Sequence, residues 1–141
     1  MSGLCLEDLE IGQTAERRRV VTAADIDAFA RVTGDDNPLH LDEAFAATTS
    51  FGGRIAHGML SASYISAVLG TQLPGPGSIY VSQTLNFRRP VRIGDEVTAQ
   101  AKVAAIDAAR ARVTLETTCV VSGKTVLEGE AVVIAPRRGA A

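Results

Sequence analysis

Residues 56–69 read Ala-His-Gly-Met-Leu-Ser-Ala-Ser-Tyr-Ile-Ser-Ala-Val-Leu, without one charged side chain, and the run stops at Gly70. A helix with no polar face has to be surrounded by protein. At 14 residues this one is too short for a bilayer, which takes about 20, so the rest of the chain must cover it. After a Pro-Gly-Pro-Gly loop at 74–77 the period changes to two. Ile79, Val81, Leu85 and Phe87 alternate with Tyr80, Ser82, Thr84 and Asn86. Val97, Ala99, Ala101 and Val103 alternate with Thr98, Gln100 and Lys102, and Val113, Leu115, Thr117, Cys119 and Val121 with Arg112, Glu116 and Thr118. Such alternation makes strands with one covered face, suited to antiparallel hairpins. A strand with weaker alternation follows at 124–134, and another at 14–21 completes the set. The expected architecture is α+β: a curved antiparallel five-stranded sheet wrapped around a central buried helix. Residues 1–141 read as one domain, with Arg137-Arg138-Gly-Ala-Ala as a loose tail.

Composition narrows the functional classes. A formal charge of −2 offers no general attraction to nucleic acid or anionic membrane. The longest basic run, Arg17-Arg18-Arg19, is short, bordered by Glu16, and reads as a solvated strand face. Cys5 and Cys119 are the only thiols, and neither has a histidine at metal-ligand spacing, so neither a disulfide nor a metal site is expected. The first ten residues lack a basic, apolar leader pattern. The expected compartment is the cytoplasm.

Chemistry concentrates in two places. Thr22-Ala-Ala-Asp25 has the form of a capping box, and Ile26, Phe29, Ala30 and Thr33 recur at helical spacing until Gly34 supplies a stop. Asp35-Asp-Asn-Pro38 is then a dense turn signal, because Asp and Asn fold back on their own backbone and Pro38 keeps Asn37 out of the helical region. His40 emerges from that turn, and Asp42 can cap a second short helix. Asp35 lies five residues before His40, and the turn can bring the two side chains together to hold a water. The same spacing also suits a turn-stabilising Asp beside a solvent-facing His.

The other place is His57-Gly58 at the start of the uncharged helix. Unpaired N–H groups and partial positive charge there suit a developing oxyanion, and Gly58 lets a ligand approach closely. His57 itself reads as a buried histidine that positions the helix rather than one that reacts. Ser66, two turns further on, reads from spacing alone as bonded to a backbone carbonyl. No Gly-x-Ser-x-Gly, Gly-x-Gly-x-x-Gly or phosphate-loop pattern occurs.

Several segments together resemble the MaoC-like hydratase family, in particular its short R-specific enoyl-CoA hydratases. These are Gly34-Asp-Asp-Asn-Pro-Leu-His40, Leu41-Asp-Glu-Ala-Phe-Ala-Ala, Ile55-Ala-His-Gly-Met-Leu60 and Phe87-Arg-Arg-Pro-Val-Arg-Ile-Gly-Asp-Glu-Val97. The first matches the family's Asp-x-Asn-Pro-x-His motif, and the likeness covers nearly the whole chain. It implies a hot-dog fold, a homodimer with active sites at or near the subunit interface, and no metal or redox cofactor. By the same resemblance Asp35 and His40 are the catalytic pair, Gly58 is the backbone donor to the thioester carbonyl, and Ser66 is a hydroxyl supporting the pair. The implied reaction adds water to a trans-2-enoyl-CoA to give the (R)-3-hydroxyacyl-CoA. Arg88-Arg89-Pro90 is more basic than expected for the family, and either arginine could meet a CoA phosphate or be solvated. The competing expectations are a hot-dog acyl-CoA thioesterase, an acyl-carrier-protein dehydratase and a non-catalytic acyl-CoA-binding subunit. The Asp-x-Asn-Pro-x-His turn argues against the thioesterase, and a binding module needs neither Asp35 nor His40.

Overall fold

The period-two segments become the long central strands of one sheet. In the computed structural model, which describes residues 3–139, β4 (Glu96–Asp107), β5 (Arg112–Val121) and β6 (Lys124–Ile134) pair antiparallel. Their inward side chains, among them Val97, Val103, Val113, Leu115 and Val133, are buried. β1 (Thr14–Val20) pairs with β4 and β2 (Ile79–Gln83) with β6, giving the order β1-β4-β5-β6-β2. Register shifts at Val103/Ala105 and Cys119/Val120 insert unpaired residues, which bend a sheet and increase its twist.

The uncharged segment forms α4 (Gly58–Thr71), packed most extensively on β4 and then on β5, β1 and β6. Leu60, Ile65, Val68 and Leu69 of α4 are buried in the same core cluster as the inward strand residues. Burying one such side chain is worth about 1.5–3 kcal/mol, and this packing holds helix and sheet together. The helix lies along the curved sheet in the expected hot-dog arrangement. Ahead of it come α1 (Ala23–Thr33), α2 (Pro38–Leu41) and α3 (Glu43–Ala47). Among the described residues no helix is long and apolar enough to cross a membrane.

Three local expectations change. The strand read through Phe87 breaks into β2 and a two-residue β3 (Asn86–Phe87), both paired with β6, so the sheet has six strands. Thr84 makes the break. Its N–H donates to the Glu130 carbonyl and its Oγ1 accepts from the Glu130 N–H, each at 2.9 Å, while a Cβ on Gly129 would overlap its carbonyl. Next, α4 is not covered all round: Met59 is 52% exposed, and Ser63, Ser66 and Gly70 share its open side. Last, Arg137 and Arg138 are not loose. Arg137 donates to the carbonyls of Ala108 and Ala109 at 2.6 and 3.0 Å, and Arg138 bonds Glu7 and Asp8. The opposite terminus is docked too, through Leu4 N–H to Pro74 O and Leu6 N–H to Pro136 O. Ala140 and Ala141 of the expected tail lie outside the described residues.

Candidate active site

The turn at 34–41 is set up from both sides by local chemistry. Thr22 and Asp25 form the capping box that starts α1, with Asp25 N–H to Thr22 Oγ1 at 3.1 Å and Thr22 N–H to Asp25 Oδ2 at 3.2 Å. Arg19 on β1 bonds the same carboxylate and, with the Thr22 N–H, holds it below the usual carboxylate range. Gly34, at φ 80°, ends the helix and donates its N–H to the Ala30 carbonyl, a backbone conformation that costs glycine little. Asp35 N–H then bonds Thr33 Oγ1 at 3.1 Å, and Asn37 Oδ1 accepts from Leu39 N–H at 3.0 Å. Asn37 is thus the N-cap of α2, Pro38 takes the first helical position, where its missing N–H is harmless, and His40 rides on that single turn rather than on a loop.

His40 is half-buried, and its Nδ1 lies 2.8 Å from the Ile55 carbonyl. A carbonyl only accepts, so Nδ1 carries a proton, and in the neutral ring Nε2 keeps its lone pair. His57 is 2% exposed, and its Nε2 lies 2.9 Å from the backbone carbonyl of Asp35, which by the same logic fixes the proton on Nε2. The two rings stack with centroids 3.9 Å apart and planes 28° from parallel, and Phe29 of α1 packs on His57 at 4.9 Å. Asp35, His40 and His57 each present a ligand-type atom within 4.8 Å of the others. Near-parallel rings aim their in-plane lone pairs side by side rather than at one point, and one nitrogen of each ring is taken by a carbonyl. The cluster therefore suits a hydrogen-bonded water better than a tetrahedral ion.

Gly58 follows directly as the first residue of α4, where a backbone N–H has no carbonyl one turn back to bond. A Cβ there would sit 2.5 Å from Phe87 Cε1, so the helix start and β3 approach as closely as only glycine permits. A cavity of about 240 Å³ opens beside it, walled by Phe51, Ile55, His57, Ser61, Phe87 and Arg89 among others.

The family model for the MaoC like domain matches residues 8–125. The chain belongs to that family. It is 53% identical over 135 residues, 96% of its own length and 86% of the relative's, to the 3-hydroxybutyryl-CoA dehydratase of Methylorubrum extorquens. It is 54% identical over 133 residues, 94% of its length and 92% of the relative's, to the (R)-specific enoyl-CoA hydratase of Rhodospirillum rubrum. The unliganded structure of an R-hydratase from Pseudomonas aeruginosa superimposes with a TM-score of 0.92 at 46% identity, covering 96% of this chain and 88% of that one.

Within this MaoC like domain the residues singled out from sequence divide in two. Asp35 and His40 meet around His57, which adjoins Gly58. Ser66 stands apart: it opens into a groove of about 420 Å³ that it shares with Met59, Ser63, Tyr80, Val81 and Leu85, on the open side of α4. Arg88 and Arg89 both line the cavity beside Gly58; among the described residues Arg88 is bound to Glu128 through Nε at 2.9 Å, whereas the Arg89 guanidinium reaches only the Thr125 carbonyl at 3.3 Å. Arg54 gave no signal in the sequence beyond following Gly52-Gly53. It donates from Nε to the His40 carbonyl at 2.6 Å and from Nη2 to Asp27 at 2.9 Å, tying α2 to α1. Cys119 is buried and its thiol is pushed up to about 12 by that burial, which leaves it a packing residue rather than a nucleophile.

Proposed function

We propose that this chain is an R-specific enoyl-CoA hydratase, adding water to a trans-2-enoyl-CoA to give the (R)-3-hydroxyacyl-CoA. The observation that carries the reading is the 2.8 Å contact of His40 Nδ1 with the Ile55 carbonyl, beside the Asp35 carboxylate. With Nδ1–H held by the Ile55 carbonyl, Nε2 offers a lone pair in the same cluster as the Asp35 carboxylate. The names of the relatives from M. extorquens and R. rubrum support it, since dehydration of a 3-hydroxyacyl-CoA and hydration of an enoyl-CoA are one equilibrium approached from opposite ends.

In the reaction, water attacks the β-carbon, negative charge gathers on the thioester oxygen, and a proton reaches the α-carbon. Asp35 and His40 hold the water and take its proton, and the same pair returns a proton to the α-carbon from the same face, so addition is syn. The two act as a coupled pair, worth about 10²–10⁴ in rate for positioned acid–base catalysis. Gly58 N–H faces the thioester oxygen and adds about 10²–10³. The reading includes a cytoplasmic setting, no metal or redox cofactor, and a homodimer. Support for the dimer is the apolar side chain row on the β2 edge, where Ile79 is 59% and Val81 41% exposed, beside the uncharged open face of α4. Ser66 lies on that face, so its proposed support of a catalytic pair is exerted at the subunit interface.

The test is incubation of the purified protein with crotonyl-CoA and longer homologues, following loss of conjugated absorbance, free thiol, and product coupling to R- and S-specific dehydrogenases. Absorbance loss with R product, no thiol and no effect of chelator is expected. Thiol release at the rate of absorbance loss would identify a thioesterase, and an S product would require water to approach from the opposite face. No reaction at any chain length would leave a binding module or a carrier-protein substrate.

A further inference from the structure

His57 is the group the proposed mechanism does not use, yet it touches both Asp35 and His40 and adjoins Gly58. We propose that His57 is a positioning residue that locks the backbone of Asp35 and the ring of His40 to the start of α4. This rests on the hydratase reading of the same site.

Burying an imidazole is costly unless its polar atoms are paired. In His57 only one of the two is, among the described residues: Nε2–H donates to the Asp35 carbonyl, while Nδ1 is buried without a partner there. A phenyl or isobutyl group would fill the same space with no orphaned nitrogen. What the imidazole adds is therefore the Nε2–H bond, and that bond ends on the residue carrying the carboxylate. Among the described residues it is the one hydrogen bond from the turn at 35–37 to the segment that leads into α4. The turn's other bonds, to Thr33 Oγ1, the Gly34 carbonyl and Asp35 Oδ1 and from the N–H groups of Leu39 and His40 to Asn37, are local.

The second contact is the ring. His57 lies face to face with His40 at 3.9 Å, and Ile55, two residues before it, accepts from His40 Nδ1. Ile55 and His57 thus fix His40 by its edge and by its face, and His57 fixes Asp35 by its carbonyl. The next residue, Gly58, carries the N–H assigned to the thioester oxygen. Residues 55–58 hold the acid–base pair and the oxyanion donor in one frame. Loss of that frame displaces reacting groups without removing any of them, and a displacement on the order of 1 Å costs about 10² in rate.

The signature is a fall in kcat with KM unchanged, seen only while the pair is intact. With crotonyl-CoA as substrate, His57→Phe keeps a ring but has no donor, and kcat should drop about 10–100-fold with KM within about twofold. His57→Gln places an amide N–H near the position of Nε2 and should recover most of that loss. In a His40→Ala background, His57→Phe should change the residual rate by less than about twofold, because the coupled pair whose geometry His57 holds, Asp35 included, is already broken and no longer acts as a unit. Should His57→Phe fail to fold, His57→Gln against the shorter His57→Asn makes the comparison, with Gln about 10-fold faster. Wild-type kcat in His57→Phe, equal rates for Gln and Asn, or an equal fall in the His40→Ala background would each overturn the proposal. A wild-type protein without hydratase activity would instead remove the reading on which it rests.

Discussion

A histidine that can act as a base must have a free lone pair at the right place, and here a single backbone oxygen decides which nitrogen has it. Ile55 O occupies His40 Nδ1, so the reactive nitrogen is set by an acceptor 15 residues away in sequence. The expected consequence is that His40→Ala and Asp35→Asn each lower kcat by at least about 10²-fold, with the double variant less than additive, as measured by steady-state hydration of crotonyl-CoA. Either single variant turning over normally would move the chemistry elsewhere. Arg89 makes a different prediction. Both it and Arg88 line the cavity beside Gly58, but Arg88 is paired with Glu128 at the guanidinium, while among the described residues the Arg89 guanidinium has only the Thr125 carbonyl. If it meets a CoA phosphate, Arg89→Ala should raise KM about 3–10-fold for CoA esters, less at high salt, and leave KM unchanged for the phosphate-free pantetheine ester.

At the scale of elements, the capping box on α1 matters because the helix must end at Gly34 for Asp35 to enter its turn. Thr22→Ala should cost about 1 kcal/mol of stability, read from denaturant unfolding. Asp25 adds a pH dependence whose sign follows from its surroundings. Its carboxyl is held below the ordinary value, chiefly by the Arg19 guanidinium and also by the Thr22 N–H. A depressed acid stabilises the fold above the unfolded value, about 3.9, and that contribution is lost as pH falls through the folded value. Asp25→Asn should therefore cost up to about 1 kcal/mol at pH 6, limited by solvent screening, and progressively less below about pH 4. A cost that stayed constant down to pH 2 would assign the loss to shape rather than charge.

For the whole molecule, the question is what covers the open side of α4. Tyr80 and Val81 on the β2 edge and Met59 on the helix are all exposed, an arrangement that an isolated subunit would leave open to unwanted strand pairing. The homodimer reading places a second copy there. Light scattering should find a dimer at assay concentration, and Val81→Lys should shift it toward monomer with loss of turnover while the far-ultraviolet spectrum is kept. A fully active monomer would detach the site from any interface.

The layout of this fold is legible in periodicity alone. An uncharged helix followed by alternating strands has few ways to bury itself, and Ile65, Val97 and Leu115 lie in the core as their spacing requires. Turn chemistry was equally readable at Thr22, Gly34 and Pro38, because capping depends on neighbours within four residues. The break at Thr84 was not, since it is set by Glu130 and Gly129 on another strand. Nor was the second anchor at the C-terminus, where Arg137 and Arg138 find partners about 30 and 130 residues away. In the site, the sequence pointed to the Asp35–His40 turn and to the helix start as two separate signals. Only tertiary structure placed His57 between them and set the protons on both rings, because stacking and carbonyl acceptance depend on where distant backbone comes to rest.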